Sequence, residues 1–119
     1  MPIQGKTHSY AYDDEHAGIK GHGPVLVTAA FAAAQGVLPV GLILAKDVDG
    51  KLVPQAGEAV PVAVLDEILD TTLATAGMVV IHGTVRRDVL KVGAPDPTGP
   101  AEPDAAMLRK LQDSGIYPV

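Results

Sequence analysis

Several side chains in this sequence are of types that do chemistry, and each type has a geometric requirement. The four histidines are His8, His16, His22 and His82. A helical metal site needs two of them one turn apart, at i and i+4. No pair among His8, His16 and His22 has that spacing. Asp13-Asp14-Glu15-His16 sets three acids beside a base, the ingredients of proton transfer, but such work needs burial to bring a pKa near neutrality. The surrounding residues are polar and glycine-rich, so a solvated charge run is expected there. The serines, Ser9 and Ser114, lie near the two ends of the sequence, which does not suit a nucleophile held by a base. There is no cysteine, which removes thiolate zinc sites, disulfide frameworks and cysteine nucleophiles. Gly18-Ile19-Lys20-Gly21-His22-Gly23 does not open a helix after a strand, and the phosphate cradle G-x-x-x-x-G-K-[ST] is absent. The expectation is a protein that is not an enzyme and holds no cofactor or metal.

Composition narrows the class further. With 119 residues, 47% of them hydrophobic, the chain is sized for one domain with a real core. Only four aromatics (one Phe, three Tyr) are present, so that core must be aliphatic. The formal charge of −5 and the lack of a basic stripe argue against nucleic acid, which is bound by displacing phosphate counterions with Lys and Arg. Between Val25 and Ala45 there is no charge over 21 residues, long enough to cross a bilayer. Gln35-Gly36, Pro39 and Gly41 divide that run into pieces, so no membrane span is expected. Nor is a signal peptide, because residues 1–24 carry Asp13, Asp14 and Glu15 and lack an apolar centre.

The elements follow from spacing. Residues 1–24 are polar and glycine-rich and read as an extended arm, with residues 25–119 as a single β-rich domain. Within the arm His8, Tyr10 and Tyr12 alternate with Ser9 and Ala11, the period of a strand able to join a neighbour's sheet edge. Val25–Thr28 is a short strand, and Ala29–Gln35 is either a helical turn closed by Gly36 or a loop. Val37–Ala45 is apolar and runs into Asp49-Gly50, whose residues tolerate positive φ and predict a hairpin. A calcium loop fails there, since Gly50 directly follows Asp49. Alternation of Val60, Val62 and Val64 predicts a strand from about Ala59. Leu65, Ile68, Leu69 and Leu73 recur with helical spacing, ending at Ala76-Gly77. Met78–Ile81 reads as a buried strand leading through His82, itself expected at a strand end. Residues 93–103 form a proline-rich loop, and Pro103 suits the first position of a short helix. Met107, Leu108 and Leu111 line that helix, Gly115 stops it, and Ile116 folds back onto Leu111.

Taken in order, these segments resemble the tailed-bacteriophage head decoration proteins. The likeness rests on Leu38–Asp47 followed by Gly50-Lys51-Leu52-Val53-Pro54, then on Val79-Val80-Ile81-His82-Gly83-Thr84-Val85. It closes on Leu108-Arg109-Lys110-Leu111-Gln112-Asp113-Ser114-Gly115-Ile116, and covers about residues 36–116. The resemblance implies a mainly β fold, a compact barrel- or sandwich-like domain with a short C-terminal helix and an extended N-terminal arm. It also implies a strand over Ala59–Leu65 continuing towards Asp70, and this order outweighs the helical period of that stretch. As function it implies a homotrimer made in the host cytoplasm that binds the major capsid protein on the outside of the expanded head. Thr7, His8, Tyr10 and Tyr12 are then the expected coat contacts, held by their backbones in an added strand. The alternatives are a cellular small β-barrel adaptor and a metal-binding domain organised by His8, His16 and His22.

Overall fold

The computed structural model describes Ala17, residues 23–93 and residues 101–119. Among the described residues eight strands alternate with turns: β1 (Val25–Ala30), β2 (Val37–Leu38), β3 (Ile43–Lys46), β4 (Leu52–Pro54), β5 (Ala63–Leu65), β6 (Leu69–Asp70), β7 (Ala76–Val85) and β8 (Ile116–Pro118). Also among the described residues, an α-helix, α1 (Ala105–Asp113), precedes β8, and a 3-10 turn covers Arg87–Val89. The fold is mainly β, as expected from the sequence.

The main sheet has the order β1-β7-β5-β3-β4, with β8 added parallel to the end of β7. Period-2 alternation gives this sheet two apolar faces. On one face Ile43 pairs Val64 and Val64 pairs Val80, a row sealed by Met107 and Leu111 of α1 and by Ile116. On the other, Leu44 pairs Ala63 and Leu65 pairs Val79, covered by Phe31, Leu38, Leu52 and Leu69. Leu38 and Leu69 are themselves paired in the small β2–β6 sheet, which lies over this second face. The sheet curls but is not a closed barrel. Its outer strands meet at one point, where Phe31 bridges Leu52 and the Ala32 N–H donates to the Leu52 carbonyl at 3.1 Å.

Local chemistry explains the details. The β3–β4 hairpin turns through Val48-Asp49-Gly50. The Gly50 N–H donates to the Asp47 carbonyl, and the Asp47 carboxylate accepts from the Asp49 and Lys51 N–H groups at 2.9 and 3.0 Å. Gly50 has φ +78° while Asp49 stays at negative φ, so the turn is a three-residue loop ending in a left-handed residue. Ala29 and Ala30 belong to β1, and the loop reading of Ala32–Gln35 holds over the helical one. The helical period of Leu65–Leu73 is not a helix: Ile68 and Leu73 are 66% and 84% exposed, and the stretch is the end of β5, an irregular link over 66–68, β6 and a turn. The strand expected from Ala59 towards Asp70 starts only at Ala63 and breaks after Leu65. Ala76-Gly77, expected to end that helix, begins β7 instead.

At α1 the N-cap is Asp104, whose carboxylate accepts from the Met107 N–H at 2.9 Å. Pro103 therefore lies before the cap and not at the first helical position. Gly115 at φ +88° supplies the left-handed stop. Within the segment read as an arm, Ala17 is fully buried among the helix-side residues, and its carbonyl accepts from the Arg86 N–H at 2.8 Å.

Candidate interaction surface

The arm residues Thr7, His8, Tyr10 and Tyr12 lie outside the described residues, as do Asp13, Asp14, Glu15, His16 and His22. His82 is not at a strand end but within β7. Its exposed ring meets Tyr117 edge-on at 6.2 Å and 88°, and it lies so close over Gly115 that a Cβ there would come within 2.6 Å. His82 thus packs the turn between α1 and β8. The Ser114 hydroxyl donates to the Pro61 carbonyl at 2.8 Å, a structural tie. Among the described residues no group of three or more His, Asp or Glu is placed to hold a metal ion.

Two carboxyls are perturbed, both by turn chemistry. Asp70 is held below the usual carboxylate range by hydrogen bonds from the Thr72 hydroxyl (2.6 Å) and N–H (3.0 Å). Asp88 is lowered by the Arg86 guanidinium, which donates from Nε at 3.1 Å and from an Nη at 2.7 Å. Lowered, exposed carboxylates stay ionised at neutral pH, which suits turn stabilisation and not proton transfer.

What the fold does assemble is a surface. The uncharged run Val25–Ala45 is divided among β1, β2 and β3, and among the described residues no helix is long and apolar enough to cross a membrane. β1, Val-Leu-Val-Thr-Ala-Ala, pairs with β7 along one edge. Along its other edge, among the described residues, contact with the sheet comes only beyond its end, at Phe31 and Ala32. Sheet edges are ordinarily guarded by charge or proline, and β1 has neither. Its only irregularity is a bulge between Val25 and Leu26, which are 44% and 37% exposed.

Beside this edge a groove of about 330 Å³ opens between β1 and the β3–β4 hairpin. Val27, Ala29, Val62, Val79 and Ile81 line it, and among the described residues Lys46 is the one charged side chain on its wall. Its closed end is pinned by Gln35, whose amide donates to the Ala32 carbonyl at 2.7 Å and the Leu52 carbonyl at 3.3 Å. The Thr71 hydroxyl accepts from the Gln35 N–H and donates to the Gly36 carbonyl, both at 2.8 Å. An unpaired strand edge next to an apolar trough is what an added strand docks to. Sequence reasoning missed this surface, because an edge is defined by which strands fail to pair. The available signal was the charge-free composition of Val25–Ala30.

No protein-family model matches the chain, and no curated protein matches it significantly.

Proposed function

We propose that the protein is a capsid decoration protein of a tailed phage. It binds the major capsid protein on the exterior of the expanded head as a homotrimer and reinforces the shell. The observation that carries this reading is the stretch 65–76. There the helical spacing and the order implied by the resemblance diverge, and the chain forms no helix: β5 ends at Leu65, β6 covers Leu69–Asp70 and a turn follows. The neighbouring segments support it too: a hairpin at Asp47–Lys51, an apolar strand through Gly83-Thr84-Val85, and a short helix stopped before Ile116. Reinforcement of this kind works through area and many copies, and needs no reacting group.

In this reading Thr7, His8, Tyr10 and Tyr12 contact the coat through their backbones as an added strand. The test is light scattering together with co-sedimentation on expanded phage shells. The full chain should be a trimer that sediments with shells. Tyr10→Pro, which removes a strand N–H, should stay trimeric and lose shell binding. A monomer that ignores shells at high concentration overturns the proposal and favours a β-rich adaptor that takes a peptide at its open edge.

A further inference from the structure

We infer that the groove between β1 and the β3–β4 hairpin is a parking site for the Tyr10–Glu15 segment of a second copy of this chain. The inference rests on the decoration reading and adds regulation to it, because an arm held there is withheld from the coat.

Three observations select this occupant. The first is chemical. The groove is apolar, with Lys46 as the one charged residue among the described residues of its wall, and no described acidic group forms an ion pair with Lys46. The nearby Asp47 carboxylate is engaged by its own turn. The segment offers the complement, two tyrosines at period 2 followed directly by Asp13-Asp14-Glu15. Seated against the free edge of β1, its backbone continues the sheet, one face of the strand turns Tyr10 and Tyr12 into the trough, and the acids lie beside Lys46.

The second observation is where the arm leaves the body. Ala17 is fixed to Arg86 on the helix-side face, whereas Val27, Ala29, Val62 and Val79 belong to the opposite face. The third is reach. From Arg86 back to Val79–Ile81 along β7 is about 17–23 Å at strand rise. Fully extended, Tyr12 stands at most about 18 Å from Ala17 and Tyr10 about 25 Å. The segment would have to cross from one face to the other while nearly taut to enter its own groove, so a neighbouring copy is the better-placed donor.

The absence of native cysteine makes disulfide trapping clean. Full-length chains carrying Asp14→Cys, which shares the period of Tyr10 and Tyr12 but is not one of the coat contacts, are mixed with longer, tagged full-length chains carrying Ala30→Cys, at the groove wall, and oxidised with oxidised glutathione. A mixed tagged–untagged disulfide is expected on a non-reducing gel. Adding Lys46→Glu to the tagged chain should lower its yield about five-fold, the scale of a surface charge contact. An intramolecular disulfide in the Asp14→Cys/Ala30→Cys double variant, with no mixed species, overturns the second-copy assignment. No disulfide in either experiment overturns the docking altogether. Shell binding is read separately. Trapped oligomers that regain it on reduction support the regulatory role. Mixed disulfides in a protein that never binds shells leave the docking standing and overturn the decoration reading. Trapped oligomers that bind shells as well as the reduced protein overturn the regulatory role.

Discussion

On the helix side of the main sheet, the row Ile43–Val64–Val80 is sealed by Met107, Leu111 and Ile116. On the opposite side the row Leu44–Ala63 and Leu65–Val79 is sealed at its centre by Phe31, Leu38 and Leu69, yet Val27, Ala29 and Val62 stay half-covered at the margin. Both faces are aliphatic, so hydrophobicity alone does not set them apart. The difference lies in what the chain supplies next. A complete amphipathic helix and a strand follow β7 and close the first face, while the loop that follows β1 ties back to Leu52 and Thr71 and leaves the margin uncovered. A face is finished where the chain folds its own lid, and the unfinished margin is where a partner gains most by binding.

This contrast can be broken by paired core truncations followed by urea unfolding. Leu111→Ala on the sealed face should cost about 2–5 kcal/mol, the range for a fully buried leucine. Val27→Ala at the open margin should cost under about 1 kcal/mol in the free protein, because little cavity forms where water already reaches. Equal losses would mean that the margin is as closed as the core.

Thr71→Val tests the closed end of the groove. It keeps the shape but strips the hydroxyl that serves Gln35 and Gly36, and should cost about 1–3 kcal/mol. A smaller penalty would show that water replaces the hydroxyl there. Asp104→Ala removes the α1 cap and should cost about 1 kcal/mol, with helical circular dichroism falling before the sheet signal.

The smallest effect is on pH. Asp70 and Asp88 have folded values below the ordinary one. Stability from them is fully present above the unfolded value near pH 4 and is lost as the pH falls through the lowered values. Asp88→Asn should flatten the acid limb of the stability curve slightly. An unchanged limb would assign that slope to other carboxylates.

How much was legible in the sequence depended on the range of the interaction. The hairpin was visible because Asp49-Gly50 is local turn chemistry, although the organising carboxylate is Asp47. The helix was visible in Met107 and Leu111, but its start was misplaced because the Asp104 cap outcompeted Pro103 as the boundary. Leu65–Leu73 misled because two of its four apolar residues, Ile68 and Leu73, face solvent. The parallel pairing of Gly83 with Ile116 and of Val85 with Pro118 had no local signature. The open edge of β1 left only one, the charge-free composition of Val25–Ala30, and rests on pairings more distant still.

That long separation has a kinetic side. β1 ends at Ala30 and β7, its one strand partner among the described residues, begins at Ala76, so β1 is synthesised early and paired late. During that interval an uncharged Val-Leu-Val-Thr-Ala-Ala strand is available to any other chain at the same stage, and closing so long a loop is slow. Refolding should therefore be sensitive to concentration, with the yield lost to aggregates seeded at β1, even where the finished protein remains in solution.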